Sequence, residues 1–253
     1  YNYKSSDAFA YSRSFAGHPD RFPTDDNGNL IFYKDIMYAV PGDTIFDPHI
    51  QTHVSDISAA VGVKGEFGDG WSWDVSNTLG RNNFHFFGDK TFNASMGANT
   101  PTHFDDGGFS FLQNTTNATF TKAVNNLNLA FGAEYRYERY SIYAGEEASY
   151  TNYDPSFYKA TGSQGFPGYR PSDEVAANRS NIAAYVDAEL DVTNKWLVGA
   201  AIRAENYSDF GFTTNFKLAT RYKLTNNFNI RGSVSTGFRA PSLQQINYSS
   251  QYT

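Results

Sequence analysis

The stretch Asp56-Ile-Ser-Ala-Ala-Val-Gly-Val-Lys-Gly-Glu-Phe67 alternates between two kinds of side chain. Its odd positions, from Ile57 to Phe67, are apolar or glycine, and its even positions are small, polar or charged. Side chains of a β-strand point alternately to opposite faces, so this pattern predicts a strand with one apolar and one hydrated face. The turn Gly68-Asp69-Gly70 follows, and the alternation resumes from Trp71 to Leu79.

The same period of two recurs along most of the remaining chain. Alternating segments occur at 127–138, 182–190, 196–204, 212–222 and 228–238, with weaker candidates at 9–15 and 112–122. Together they predict about nine strands, many of them longer than the usual ~5–6 residues. Strands of ~9–11 residues are long enough to cross a bilayer at a tilt.

Short and long connections alternate between these strands. The short polar turns are 68–70, 123–126, 192–194 and 224–227, the long segments are 16–51, 88–107 and 144–179, and 208–211 is a short exception. Antiparallel neighbours joined in this way carry their short turns at one end of the sheet, as barrels of the bacterial outer membrane do. Trp71, Trp73 and Trp196 lie close to the short turns, which is typical of an aromatic girdle.

The alternation also predicts which side chains lie on the apolar face and would contact lipid. They include Ile57, Val61, Val63, Leu129, Phe131, Val186, Ile230 and Val234. A soluble antiparallel sandwich would alternate too, but it would bury this face against a second sheet. The length of the strands, and the glycines beside charges on the hydrated face, favour the membrane barrel.

Composition narrows the class of protein. The chain has 253 residues, a formal net charge of −6, no cysteine and 17% aromatic residues. The lack of cysteine excludes disulfides, cysteine-ligated metals and thiol catalysis. The acidic balance argues against nucleic-acid binding, which needs a basic face. No run of ~18 apolar residues is present, so transmembrane helices are not expected.

The polar clusters do not form a recognisable catalytic or metal site. His49 and His53 lie ~13 Å apart on a predicted strand, too far to share one ion. His103, Asp105 and Asp106 offer oxygen and nitrogen ligands to a calcium ion, but a turn is the simpler interpretation of the glycines that follow. Charged residues that fall mostly on the hydrated face are expected to form cross-strand ion pairs. They are Glu134, Arg136, Glu138, Asp187, Glu189, Arg203, Glu205, Arg221, Arg231 and Arg239. We therefore expect no catalytic residue, no bound metal and no cofactor.

The run Ser233-Val-Ser-Thr-Gly-Phe-Arg-Ala-Pro-Ser-Leu-Gln-Gln245 closely resembles a signature of TonB-dependent outer-membrane receptors. Weaker similarities to the family occur at 104–109, 131–138, 165–169 and 204–211. The most specific residues are Gly237, Phe238, Arg239, Ala240 and Pro241. We interpret them as structural, because Pro241 lacks the N–H that would continue a strand ladder.

The resemblance implies a barrel of about 22 strands, with a lumen plugged by the chain's own N-terminal domain. We therefore expect an all-β fold in which residues 1–253 form an antiparallel segment of a transmembrane β-barrel, with external loops at about 16–51, 88–107 and 144–179. The sequence contains no plug domain and no motif that would engage TonB. The residues Ser250-Gln-Tyr-Thr253 do not form the terminal strand with a final aromatic that the resemblance implies. The expectation is an internal portion of a longer receptor.

The function that the resemblance implies is energised uptake of a scarce nutrient, such as a metal chelate, a vitamin or a glycan, across the bacterial outer membrane. The expected partners are outer-membrane lipid, the TonB complex acting through a plug domain absent here, and a small-molecule or glycan ligand, with no nucleic acid and no enzymatic activity. The alternatives are a passive porin or structural outer-membrane barrel, and a soluble β-rich adhesin fragment.

Aromatic residues of the long loops are the candidates for ligand contact. One loop carries Tyr150, Tyr153, Phe157, Tyr158, Phe166 and Tyr169, and another carries Phe32, Tyr33 and Tyr38. Exposed rings on such loops can stack on flat or sugar-like ligands at modest entropic cost. The alternative is that the rings pack on one another and hold a long loop closed.

Overall fold

The computed structural model describes residues 1–248, so the final residues 250–253 discussed above lie outside it. Twelve strands account for most of the described chain. In chain order they are β1 (Asn2–Phe9), β2 (Arg13–Ser14), β3 (Met37–Val40), β4 (Asp43–Phe46), β5 (His49–Phe67), β6 (Trp71–Asp89), β7 (His103–Val124), β8 (Leu127–Tyr143), β9 (Val175–Thr193), β10 (Trp196–Tyr207), β11 (Gly211–Lys223) and β12 (Asn229–Ser235).

Nine of these strands form one antiparallel sheet in the order β1-β5-β6-β7-β8-β9-β10-β11-β12. The three short strands form a separate sheet in the order β2-β4-β3, within the connection between β1 and β5. The nine-stranded sheet confirms the predicted all-β antiparallel fold with about nine strands. It does not close on itself within the described residues, because β1 and β12 each pair with one neighbour.

One face of the large sheet is a continuous apolar surface. Residues directly opposite each other in antiparallel strands lie on the same face. The register therefore places one apolar row across six strands; it consists of Trp73, Phe120, Phe131, Val186, Ile202 and Phe216. We call this side the outward face, and the side that carries the charged residues the inner face.

Most of the predicted lipid-facing residues are exposed on the outward face. The exposed members are Ile57, Val61, Val63, Val186, Ile230 and Val234, and the prediction is confirmed for these six. Val61 exposes 72% and Val234 68% of its surface, so no second sheet covers them among residues 1–248. Leu129 and Phe131 are half-buried. The Phe131 ring packs on its neighbours Trp71 and Phe120, with centroids 5.7 and 5.3 Å away.

The connections between strands differ in length at the two ends of the sheet. The turns at 68–70, 125–126, 194–195 and 224–228 lie at one end, and the connections 10–48, 90–102, 144–174 and 208–210 lie at the other. Within the segment 88–107, β6 continues to Asp89 and β7 already begins at His103, and β9 begins at Val175, inside the segment 144–179. None of the helices among residues 1–248 has the length and apolar character needed to span a membrane.

Gly132 on β8 shows how closely two neighbouring strands approach. A Cβ atom at this position would lie 2.4 Å from the Ala118 carbonyl oxygen and 2.7 Å from the hydroxyl of Tyr185. The Tyr185 ring thus covers Gly132, and its hydroxyl lies 2.7 Å from Thr119 Oγ1 on β7. Only a residue without a side chain leaves room for this contact across β7, β8 and β9.

We predict that Gly132→Ala destabilises the full-length barrel by about 1–3 kcal/mol, because it overpacks this contact. The measurement is the temperature at which the folded form is lost in heat-modifiability gels. Gly80→Ala is the matched control, since a Cβ there has no atom within 4 Å. Equal transition temperatures for the two variants would contradict the prediction.

Candidate ligand-binding site

The long connections fold into two apolar clusters beyond the end of the sheet. The first cluster has Phe22, Met37, Phe46 and Phe92 at its centre, with Phe15, Leu30, Tyr33 and Ile36 packed around it. The second cluster has Tyr140, Ile142, Tyr169 and Leu243 at its centre, joined by Phe86, Phe109, Phe111, Phe166, Val175 and Ala177. Both clusters combine loop residues with strand ends, so these connections are packed structure rather than open coil.

The connection 144–174, here called the aromatic loop, is anchored at its base by backbone hydrogen bonds. It begins with the short helix α1 (Glu147–Tyr150). The Ser149 carbonyl accepts hydrogen bonds from the N–H groups of Ser163 and Gly168, at 2.9 and 3.2 Å. Asn93 of the neighbouring connection donates to the carbonyls of Ala148 and Thr151, each at 2.8 Å. Both ends of the aromatic loop are therefore fixed at its base.

Asp106 lies beneath this base. It is the extra residue of a β-bulge, because Gly107 pairs with Phe86 and Asp105 pairs with Phe87. Bulges redirect a side chain, and this one turns the carboxyl of Asp106 into the loop base, where Ser163 Oγ donates to Oδ1 at 3.1 Å. Asp106 lies near the start of β7, at the end of the sheet that carries the long connections. Burial raises the pKa of this carboxyl well above its usual value.

Five of the six candidate rings of the aromatic loop fall into two groups. Tyr169 is 3% exposed, and Phe166 packs on Phe86 with centroids 5.3 Å apart. Tyr150 is half-buried. Tyr153, Phe157 and Tyr158 are exposed, and Phe157 leaves 75% of its surface open. Phe166 and Tyr169 therefore hold the loop together, while the other group is open to a ligand.

The second predicted group of rings divides in the same way. Phe32 and Tyr38 are exposed. Tyr33 packs on Phe92, with centroids 4.8 Å apart, at the edge of the first cluster.

A cavity of about 490 Å³ lies between three of the connections. Its wall includes Asp25 and Ile31 of the first connection, Met96 of the second, and Tyr153 and Lys159 of the aromatic loop. The cavity mixes apolar, acidic and basic groups and includes one of the exposed candidate rings. It can accept a ligand with both a flat apolar part and polar groups.

Lys159 ties the aromatic loop to the first connection. Its Nζ donates to the carbonyl oxygens of Pro19 and Phe22, at 3.1 and 2.9 Å. The Ala160 N–H donates to the Asp20 carbonyl at 3.0 Å. Burial is the main cause that lowers the pKa of Lys159. The two loops therefore form a common wall of the cavity.

Asp154 organises the exposed tip of the aromatic loop. Its carboxylate accepts hydrogen bonds from the N–H of Lys159 at 2.9 Å, and from the hydroxyl and N–H of Ser156 at 2.7 and 2.9 Å. These hydrogen bonds lower the pKa of Asp154 to about 2, and the bond from the Lys159 N–H has the largest effect. The tip that presents Phe157 and Tyr158 is thus held by an ionised carboxylate.

A second cavity, of about 740 Å³, lies over the inner face. Arg203 of β10 reaches across β9 to Glu134 of β8 at 3.2 Å and contacts Glu205 at 2.7 Å. Glu134 also pairs with Arg136 at 2.6 Å. This reach is possible because Ala183 on the intervening strand is small. The expected ion pairing is thus confirmed for Glu134, Arg136, Glu138, Arg203 and Glu205. Within residues 1–248 it is wrong for Asp187, Glu189, Arg221, Arg231 and Arg239, which form no ion pair.

Residues 237–240 line this second cavity. β12 ends at Ser235, so the ladder stops before Pro241 rather than at it. Arg179 donates to the Pro241 carbonyl at 2.9 Å, and Phe238 packs on Tyr207 with centroids 5.9 Å apart. These contacts lead into helix α2 (Leu243–Asn247), whose Leu243 is buried in the second apolar cluster.

Arg179 is the residue of this region that sequence reasoning missed. Its guanidinium lies 2.7 Å from Asp209 and 3.7 Å from Glu138, in addition to the Pro241 carbonyl. The sequence analysis placed Arg179 at the end of the long connection 144–179, before the predicted strand at 182–190. Its partners come from three separate parts of the chain, so no local pattern could indicate them.

Three of the five histidines pair with separate carboxylates. His49 lies 3.0 Å from Asp7, His85 lies 2.7 Å from Asp105, and His103 lies 3.1 Å from Asp89. Asp106 points away from this row into the loop base. No group of three metal-ligating side chains converges within residues 1–248.

Comparison with known proteins identifies the family. Residues 1–253 match the family described as TonB dependent receptor-like, beta-barrel. The chain therefore belongs to the TonB-dependent receptor family and represents part of its β-barrel. The runs singled out in the sequence, above all Gly237–Pro241, had indicated the same family.

Solved structures share the fold at low sequence identity. The ferric-catecholate import receptor Fiu from E. coli K12, in its closed form, superposes with a TM-score of 0.51 at 13% identity, over 92% of this chain and 40% of that one. The siderophore receptor PirA from Pseudomonas aeruginosa gives a TM-score of 0.41 at 12% identity, over 81% of this chain and 39% of that one. The chain thus spans about 40% of the length of these receptors. Comparison with curated proteins finds no match.

We predict that Lys159→Met loosens the aromatic loop, because the apolar side chain leaves the carbonyls of Pro19 and Phe22 without their donor. A lost buried hydrogen bond costs about 1 kcal/mol, which corresponds to about fivefold faster chymotrypsin cleavage at Phe157 and Tyr158. Lys34→Met is the matched control, as Lys34 is exposed. An unchanged cleavage rate in the full-length Lys159 variant would show that these two hydrogen bonds do not stabilise the loop.

We predict that the loop tip opens in acid. The pKa of Asp154 in the folded chain, about 2, is below its ordinary value, so its contribution is present above about pH 4 and is lost as the pH falls through about 2. Pepsin cleavage at Phe157, normalised to cleavage at exposed Phe32, should rise over this range. In Asp154→Asn the ratio should be high and independent of pH. A pH-dependent ratio in that variant would refute the assignment to Asp154.

Proposed function

We propose that this chain is part of the barrel of an outer-membrane receptor that takes up a scarce nutrient with energy supplied through TonB. The observation that carries the proposal is the family match over residues 1–253. The nutrient is a metal chelate, a vitamin or a glycan. The partners are outer-membrane lipid, the nutrient itself, and the TonB complex, which would act through a plug domain.

The exposed outward face supports the membrane location. Exposing apolar surface to water costs roughly 25 cal/mol of free energy per Å². Contact with the acyl chains of a bilayer removes this cost for the outward face. The span from Ile57 to Phe67 on β5 is about 33 Å along the strand, or about 25 Å of height at the usual barrel tilt. That height equals the apolar band of outer-membrane barrels.

The packed loops favour an energised receptor over a passive porin. A passive pore needs an open aqueous path, whereas here helix α2 and the aromatic loop pack onto the strand ends through Tyr140 and Tyr169. The cavity between the connections then serves ligand capture. Glu134, Arg136, Arg203 and Glu205 of the inner face are paired with one another, which suits a wall against which a second domain moves.

The test is growth of a host strain that lacks the full-length gene, on media in which a ferric chelate, cobalamin or an oligosaccharide is limiting. Restoring the gene should restore growth on one of these nutrients. The restored growth should disappear when TonB is inactivated. Uptake that persists without TonB would support the passive porin instead, and growth unaffected by the gene on every nutrient would contradict the proposal.

We predict that the exposed rings of the aromatic loop contact this nutrient. Replacing Tyr153, Phe157 and Tyr158 together by alanine should weaken binding of the nutrient found in the growth test about tenfold or more, since stacking contributes about 0.5–1.5 kcal/mol per ring. Barrel stability should not change. Phe166→Ala is the comparison, and it should lower loop stability through its contact with Phe86. Unchanged affinity in the triple variant would remove these rings from the site.

A further inference from the structure

Two arginines lie on the outward face, where the surrounding side chains are apolar. The register forms the row Ile57, Arg81, Leu112, Arg139 and Asn178 across five strands. Arg81 on β6 and Arg139 on β8 are both exposed. They flank β7, so their backbones are about 10 Å apart. Long side chains at this spacing can contact the same bound group.

The position of this row along the strands places it at one edge of the apolar band. Trp71 begins β6 at the end with the short turns. Arg81 lies about 33 Å further along the strand, which is about 25 Å of height at a tilt of about 40°. Arg139 lies at least as far from Leu127 on β8. Both guanidiniums therefore lie at the end that carries the long connections, at the level of lipid headgroups.

Neither arginine has a carboxylate partner or a side-chain hydrogen bond among the described residues. Three arginines of the inner face differ, because Arg136, Arg179 and Arg203 each have a carboxylate oxygen within 2.7 Å. The nearest carboxylates on the outward face lie closer to the long connections and already have partners. Asp105 pairs with His85, and Asp89 pairs with His103. The two guanidiniums thus remain without an ionic partner on this face.

Polar side chains nearer the middle of the band satisfy one another instead. Asn77 donates to Asn114 Oδ1 at 3.0 Å and to Thr116 Oγ1 at 2.8 Å. They need no external partner, whereas the two guanidiniums do. The rows below the arginines also include Leu79, Tyr135 and Tyr137, which offer apolar and aromatic surface to acyl chains.

We propose that Arg81 and Arg139 bind the phosphorylated headgroup of an outer-leaflet lipid, whose acyl chains lie along the outward face of β6, β7 and β8. Guanidinium groups bind phosphate through paired, charge-assisted hydrogen bonds. Basic residues at the edge of a membrane attract anionic lipids. The inference rests on the proposed membrane location, which sets the orientation of this face, and it is independent of the transported nutrient.

The test uses the full-length receptor in neutral detergent, titrated with lipid A and, separately, with phosphatidylcholine or inorganic phosphate. Lipid A should raise the unfolding temperature of the wild type, and the other two should not. In Arg81→Ser/Arg139→Ser the half-maximal lipid A concentration should rise about 30-fold, since each basic residue contributes about fivefold. An equal response to inorganic phosphate would overturn the proposal, because the site would then bind a free anion.

Two further variants separate lipid binding from other causes. Lys122→Ser removes an outward charge beside Trp71, at the opposite edge of the band, and should leave the lipid A titration unchanged. Arg81→Lys/Arg139→Lys keeps the charge and should recover most of the affinity. An unchanged titration in the serine variant would overturn the proposal. So would a serine variant that changes the oligomeric mass but not the lipid response, because the row would then be an interface between copies.

Failure of this test differs from failure of the proposed function. A receptor that supports TonB-dependent growth but shows no arginine-dependent lipid response would refute the lipid site alone. A protein that does not partition into detergent would refute the membrane location on which both depend.

Discussion

Backbone hydrogen bonding between antiparallel neighbours assigns every side chain of the sheet to one of two faces. Because the side-chain period is two, a slip of one residue in any pair would move the apolar set to the charged side. The pairing of Phe131 with Val186 and that of Glu138 with Arg179 belong to the same ladder and have opposite parity. The outward band, the ion pairs and the Gly132–Tyr185 contact therefore all depend on one register.

This dependence explains which parts of the fold were predictable from the sequence. Strands whose two faces meet different surroundings, such as β5 and β10, show the alternation clearly. Boundaries were predicted less well where both faces are polar. The outer end of β7 begins at His103 in a run of aspartates and glycines, and the pairing continues there through a bulge that no periodicity announces. Strand β1 is another example, since it lies at residues 2–9 rather than in the candidate segment 9–15.

The candidate site was less accessible from sequence than the fold. Six rings in one loop were a visible signal, but nothing in their order separates buried Tyr169 from exposed Phe157. That separation depends on contacts with residues far away in the chain, such as the packing of Phe166 on Phe86. The hydrogen bonds from Lys159 to the carbonyls of Pro19 and Phe22 were equally unpredictable, because every residue has a backbone carbonyl and the sequence does not show which one accepts. The charge of a residue and the face on which it lies predicted several of the ion pairs, whereas the packing of the loops was visible only in the structure.

Arg179 has a consequence for how the region around it can move. One guanidinium, 3% exposed in its side chain, serves Glu138 on β8, Asp209 in a tight turn and the Pro241 carbonyl, and it lies 5.0 Å from the Phe210 ring. Withdrawing any one of these partners leaves part of a buried cation unsatisfied, which is costly. Small displacements of residues 237–241 are therefore resisted, and a large one has to break several contacts together. Movement of this segment would therefore be cooperative rather than gradual.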